Sequence, residues 1–312
     1  MNNILALFPG QGSQQVGMGK DLYDSSDIAQ ELFNKADTAL GFKLSELCFN
    51  GPTEELTKTA HTQPAILTVS TVLYQMALHA TGKSITPTVA AGHSLGEYSA
   101  LVAAGALTFE DAVLLVHKRG SYMQEAVPQG KGKMVAVLGK EIESIEKAIV
   151  KVTSGIVQAA NINAPGQVVV AGDIDAVDQF IEELKNVTGT DVKAKELPVS
   201  APFHCPLMKP AEDALRADLA TLAINTPTFA VLANYFAEPL TDPERIREAL
   251  ALQVCGKVRW VECMQVAKEQ FNTEQAIEFG HGRTLTGLFK RIDKSILCTN
   301  VNTLESIQKL ST

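Results

Sequence analysis

Two kinds of apolar spacing alternate along this chain. Short, mostly apolar runs of strand length stand at Ile4–Phe8, Val89–Ala91, Val231–Asn234 and Ala276–Phe279, broken only by Asn234 and Glu278. Between them, apolar residues return every three or four positions. The runs predict buried parallel strands, since a strand covered on both faces has no polar alternation. The longer spacing predicts helices over residues 27–40, 53–60 and 64–80, with Pro64 suited to a first helical turn. It also predicts a helix over 95–104 stopped by Gly105, and others over about 210–222, 243–254 and 260–271. Thr108 and Asp111 form a capping-box-like start for one more helix, reaching about Val127.

Between about Gln129 and Ser200 the pattern changes. Strands are predicted at 134–138, 157–161, 168–171 and 192–197, with helices at 141–152 and 173–186 and a turn at Asn163–Gly166. The order βαββαβ fits a ferredoxin-like module. The domain reading is therefore a main domain of residues 1–128 and 201–312, interrupted by an insert over 129–200. An insert with its own core supplies a second wall for a cleft, and ligand sites favour such junctions.

Candidate chemistry starts at Gly92-His93-Ser94-Leu95-Gly96, where a strand pattern turns into a helix pattern. This is the spacing of a nucleophile elbow. Glycines two before and two after the serine let strand and helix pass without Cβ clashes. The serine hydroxyl then stands at a helix N-terminus, where free N–H groups favour developing negative charge. A second glycine-rich loop, Pro9–Gly19, follows the first strand. Gln15 occupies the third glycine position of a dinucleotide fingerprint, and no Gly-Lys-Ser/Thr follows, so the Rossmann and P-loop readings both fail. What remains is either a plain tight turn or a loop, with Gln11 at its apex, whose backbone approaches a ligand closely.

On the helix beginning near Thr108, Ala112, Val116, Met123 and Ala126 step by three or four, and Arg119 falls on the same stripe. A core-facing guanidinium needs an anionic partner, because an unpaired buried charge is costly. That partner is either a structural Glu or Asp, or a substrate carboxylate held bidentately.

Composition narrows the class. The 312 residues are 46% hydrophobic and 20% charged, as in an ordinary globular protein. No apolar run has the length of a membrane span, and Ile4–Phe8 is too short for a signal-peptide core. Cys48, Cys205, Cys255, Cys263 and Cys298 form an odd, scattered set without metal-ligand spacing. They imply reduced thiols in a cytoplasmic setting and no zinc site. A net charge of −8 counts against nucleic acid as a partner.

A serine nucleophile needs a base. His93 adjoins Ser94 and is expected to project away from its hydroxyl, as a structural or substrate-lining group. His79 and His117 lie within predicted helices, and His61 at a helix junction. His204 and His281 lie on loops at inferred domain edges, where catalytic groups concentrate. Pro202 and Pro206 stiffen the loop of His204, which favours it. Cys205 beside it reads as a small buried thiol.

Taken together, Phe8–Gln14, Gly92–Gly96, the helix carrying Arg119–Glu125, Asn161–Gln167 and Ala201–His204 resemble the malonyl-CoA:acyl carrier protein transacylase family, in order and spacing, from residue 4 to about 290. The resemblance implies an α/β-hydrolase-like large domain carrying the ferredoxin-like subdomain. It implies Ser94 as nucleophile, His204 as base held by main-chain carbonyls, and Arg119 as clamp for the malonyl carboxylate. It makes the backbone N–H groups of Gln11 and Leu95 the oxyanion hole, with Gln253 supporting the site and Asn163 and Phe203 contacting substrate. Malonyl-CoA and an acyl carrier protein bearing phosphopantetheine are the implied substrates of a ping-pong cycle feeding fatty-acid synthesis, run by a monomer without a bound cofactor or metal. Two departures stand out: His281 replaces the family's usual proline, and residues 254–258 differ from the common Asn-Pro form. An esterase using water as acceptor, and a docking subunit with a vestigial site, are the alternative readings. Lys131, Lys133, Lys193 and Lys195 are candidates to meet an acidic carrier.

Overall fold

The computed structural model describes residues 3–128, 130–199 and 201–310, so Gln129 and Ser200, the expected ends of the insert, lie outside the described residues. The strands are β1 (Ile4–Phe8), β2 (Val89–Gly92), β3 (Gly132–Leu138), β4 (Val157–Ala164) and β5 (Gln167–Asp173). They continue with β6 (Lys193–Glu196), β7 (Ala230–Ala233), β8 (Glu238–Leu240), β9 (Gln275–Phe279) and β10 (Leu297–Val301).

Six of them form one sheet in the order β10-β9-β1-β2-β7-β8. Every pair is parallel except β7–β8. In β1, Ile4, Ala6 and Phe8 point into the core shared with helices Asp27–Leu40, Thr59–Ala80 and Phe109–Glu125. Leu5 and Leu7 point the other way, onto helices Trp260–Phe271 and Thr284–Ile292. That two-sided burial is why the strand is apolar at every position.

The remaining four strands form an antiparallel sheet in the order β4-β5-β3-β6, the arrangement of a ferredoxin-like βαββαβ unit. Helices Ile142–Ile149 and Ile174–Thr188 cover one face around Val135, Val170, Phe180 and Leu184. On the other face Met134, Ala160, Val169 and Ala171 join the main core. Backbone hydrogen bonds from Ile162 to Val258 and from Val258 to Ala160 stitch the two parts together. The insert therefore leans on the main sheet with an apolar face.

Pro64 departs from expectation. It lies inside helix Thr59–Ala80 rather than in a first turn, because the helix starts five residues earlier. A proline there has no N–H for the carbonyl of Ala60. The ring Nδ1 of His117 donates to that carbonyl at 2.8 Å instead, which gives this histidine its structural role. Two helices are shorter than the pattern predicts: Thr53–Leu56 is separated from its successor, and Ile142–Ile149 ends before Val152.

The glycines of the elbow are sterically required. A Cβ on Gly92 falls 1.8 Å from the carbonyl carbon of Gly96, and one on Gly96 falls 2.1 Å from the Phe8 oxygen. Neither neighbour is a flexible side chain, so both sites exclude any larger residue. Gly96→Ala is expected to lower stability to urea by roughly 3 kcal/mol or more. Gly189→Ala, at an open left-handed helix cap with φ 64, is expected to cost only about 1 kcal/mol. Equal losses in urea titrations of the two variants would show that the elbow is not tightly packed.

Candidate active site

Ser94 sits at the carboxyl end of β2, between that strand and helix Gly96–Ala103, with a positive φ of 52°. A non-glycine residue holds that conformation only when its surroundings fix it. Asn234, just past β7, does the fixing. Its Oδ1 accepts from the Ser94 N–H at 2.7 Å, and its Nδ2 donates to the Gly92 carbonyl at 2.8 Å. The hydroxyl is left facing the cleft, 2.8 Å from His204 Nε2.

His204 is also left-handed, at φ 59°. Its Nδ1 donates to the Gln253 carbonyl at 2.8 Å, which leaves Nε2 as the acceptor toward Ser94. Gln158 of the insert reaches across to donate from Nε2 to the carbonyls of His204 (2.9 Å) and Cys255 (3.0 Å). Burial, and next the Arg119 charge, push the imidazole pKa down to about 3. At neutral pH the ring is therefore uncharged and able to take a proton. Cys205 beside it is buried, its thiol pushed up to about 12 by desolvation.

Arg119 is 1% exposed, and no carboxylate of the described residues lies within ion-pair distance of it. Neutral oxygens hold it: Gln63 Oε1 at 2.8 Å, Gln253 Oε1 at 2.9 Å and Ser94 Oγ at 3.2 Å. Those bonds use three of its five donors, and Nε has no partner among the described residues. Tyr98 lies beneath with its ring 5.5 Å away. Of the two anionic partners open to this stripe residue, the structural ion pair is the one this geometry does not contain. A cation desolvated this far, with spare donors beside a cavity, is built for an incoming anion.

The cavity between the main sheet and the insert measures about 110 Å³, room for a small acyl group. Gln11, His93, Ser94, Leu95, Arg119, Met134, Asn161 and Phe203 contribute to its wall. Among the described residues no group accepts from the backbone N–H of Gln11 or of Leu95, so both donors remain free at the elbow. Asn163 does not line the cavity. It stands behind the wall, where its Oδ1 meets His93 Nε2 at 2.7 Å; Asn161, two residues earlier on the same face of β4, is the one that lines the cavity. Gln253 is likewise fully buried and holds Arg119 and His204 rather than lining the cavity.

Among the loop candidates, His281 is not near the hydroxyl; its Nε2 meets Gln15 Oε1 at 3.1 Å and ties the first loop to the turn after β9. Lys133 is paired with Asp178, whereas Lys193 and Lys195 stand exposed on β6. Sequence reasoning missed Gln63, Glu97, Gln158 and Asn234. Glu97, three residues after Ser94 on an apolar helix, was the one with a visible signal.

Residues 6–265 match the acyl transferase domain family. The chain is 45% identical over 303 residues to the malonyl CoA-acyl carrier protein transacylase of Escherichia coli (strain K12), spanning 97% of this chain and 96% of that one. It is 43% identical over 311 residues to the corresponding protein of Bacillus subtilis (strain 168), spanning 99% and 96%. Among solved structures, an acyl carrier protein S-malonyltransferase from Vibrio cholerae O1 biovar eltor str. N16961 aligns with a TM-score of 0.94 at 42% identity, over 99% of this chain and 100% of that one. A malonyl-transacylase in complex with a type II PKS acyl-carrier protein aligns with the same TM-score at 41% identity, over 99% of each chain. The elbow, the imidazole and the buried guanidinium thus sit in a chain that belongs to the acyl transferase family, among its malonyl-CoA:acyl carrier protein transacylases.

Proposed function

We propose that this chain moves a malonyl group from malonyl-CoA to the phosphopantetheine thiol of an acyl carrier protein through a malonyl ester on Ser94. The observation that carries the reading is a serine hydroxyl 2.8 Å from a neutral imidazole and 3.2 Å from a buried guanidinium without a carboxylate partner. His204 Nε2 takes the hydroxyl proton as Oγ attacks the thioester carbonyl. The oxyanion meets the free N–H groups of Gln11 and Leu95; one such donor contributes roughly 2.7–4 kcal/mol. As the tetrahedral intermediate collapses, the C–S bond breaks, the imidazolium returns its proton to the leaving CoA sulfur, and the acyl-serine ester remains. The carrier thiol then gives its proton to the same imidazole, attacks the ester carbonyl, and Ser94 regains its proton as it leaves. CoA and phosphopantetheine arrive as substrate and partner, so no resident cofactor enters the cycle.

Arg119 selects the acyl group. A malonyl carboxylate fills its unused donors, whereas an acetyl group leaves a desolvated cation unpaired. Phe203 closes the cavity wall beside His204. No helix is long and apolar enough to cross a membrane among the described residues. The chain fits a cytoplasmic monomer serving fatty-acid synthesis, with Lys193 and Lys195 among the exposed cations an acidic carrier can meet.

The decisive experiment incubates the protein with labelled malonyl-CoA with and without holo-carrier. Label is expected on Ser94 without carrier and on the carrier when it is added, with both lost in Ser94→Ala. Rapid release of free malonate in the absence of carrier would instead identify an esterase. For Arg119→Ala, malonyl transfer is expected to fall about a hundredfold or more while acetyl transfer holds or rises; equal losses in kcat/KM would make the residue structural.

The histidine also sets a pH dependence. His204 stays neutral in the folded protein down to about pH 3 but charges in the unfolded chain below about pH 6.5. The unfolded state therefore binds the extra proton, and this group withdraws stability as pH falls from about 6.5 toward 3. The stability of His204→Gln relative to the unsubstituted protein is expected to rise over that interval in urea titrations. A constant difference would place the imidazole in an ordinary, solvated environment.

A further inference from the structure

Glu97 is a buried carboxylate that the transfer cycle does not use. It is 2% exposed, on the first turn of the helix that follows the nucleophile. Its Oε2 accepts from the Asn234 N–H at 2.9 Å and from Gln253 Nε2 at 2.7 Å. The other end of that same Gln253 amide, Oε1, accepts from Arg119 at 2.9 Å. One side-chain amide thus stands between a buried anion and a buried cation, with its N–H end toward the anion and its oxygen toward the cation. Each charge dictates the same orientation.

This spacing solves a conflict. A buried guanidinium needs a counter-charge. A carboxylate in direct contact would occupy the donors that a substrate carboxylate has to reach. Set one amide away, Glu97 offsets the charge of Arg119 through space and leaves the spare donors open. The substrate carboxylate then enters a field already partly neutralised, so its grip is weaker than a lone buried cation would give. For a transferase that must release CoA and pass the acyl group onward, binding held below its maximum keeps the acyl-enzyme from becoming a trap.

We propose that Glu97 is a positioning residue for acyl selection: acting through Gln253, it orients Arg119 and tempers the affinity of that cation for the malonyl carboxylate. The inference rests on the reading of Arg119 as the malonyl clamp. Other ionisable groups that face Glu97 do not share its role. Tyr98 is pushed up to about 12 by burial, and burial also raises the thiol of Cys263, so both stay neutral through the neutral range. Burial lifts Glu97 itself to about 7.

The test uses Ser94→Ala, which binds acyl-CoA without turnover, with and without Glu97→Gln. Glutamine keeps one oxygen to accept from Asn234 and Gln253, removes the charge, and puts an NH2 group where the other carboxylate oxygen stood. At mildly alkaline pH, above the range where Glu97 titrates, calorimetry is expected to show malonyl-CoA binding about tenfold more tightly in the double variant, with acetyl-CoA unchanged. Weaker binding of both thioesters, or no change for malonyl-CoA, would overturn the proposal, since a purely structural carboxylate gives one or the other. If the double variant does not fold, Ser94→Ala alone still decides. Malonyl-CoA binding near pH 7 is expected to take up protons, as a second anion beside Arg119 raises the Glu97 pKa, and acetyl-CoA binding is not. Equal proton uptake for the two thioesters, measured in buffers of different ionisation enthalpy, would overturn it as well. A Ser94→Ala protein that does not prefer malonyl-CoA at all would instead remove the clamp reading of Arg119 on which this inference stands.

Discussion

The site depends on one unusual placement: a guanidinium removed from water and held by neutral oxygens. Water would stabilise the charge of Arg119 far better than Gln63, Gln253 and Ser94 do. The fold supports the cost because three elements converge to make the pocket. Helix Phe109–Glu125 carries the cation on its apolar stripe, helix Thr59–Ala80 brings Gln63, and the end of helix Pro243–Leu252 brings Gln253. The close approach of the first two is visible at Gly120, where a Cβ would lie 2.5 Å from the Thr59 carbonyl. The proposed selectivity for a dicarboxylic acyl group rests on this desolvation, since the same arginine at the surface would meet any anion weakly.

The same polar skeleton also holds Ser94 and His204. Asn234 holds the Ser94 N–H and the Gly92 carbonyl before it, and Gln253 bonds to Arg119 with its amide oxygen, to Glu97 with its amide nitrogen and to His204 with its carbonyl. Ser94 and His204 both sit at left-handed φ, and both are pinned by side chains distant in sequence. Such strain is stable only where the surroundings over-determine it. Because each amide serves two or three partners, substitutions within this set are coupled, and their effects will not add.

The insert has a double role. It roofs the cavity with Met134 and Asn161, and it reaches His204 through Gln158. It also leaves β6 as an exposed, lysine-bearing edge, the kind of charged edge that resists strand addition by another chain. Its apolar inner face makes it part of the main core rather than an appendage on a linker.

What the chain alone made legible was local in origin. Short, mostly apolar runs marked strands covered on both faces, the change of period marked the insert, and the glycine spacing around Ser94 marked a turn that admits no Cβ. Arg119 was legible because a charge on an apolar stripe contradicts its surroundings. Pro64 was misplaced because the missing N–H of a helix-interior proline was offset by His117, a partner that local pattern does not reveal. The roles of Gln63, Gln158, Asn234 and Gln253 belong to the tertiary structure. A neutral amide carries no periodic or charge signal, and what it does is fixed by which donors and acceptors the fold brings within 3 Å of it. The same holds for Asn161 and Asn163: strand alternation puts both on one face, and only the packing of β4 against the elbow decides which of them meets the cavity.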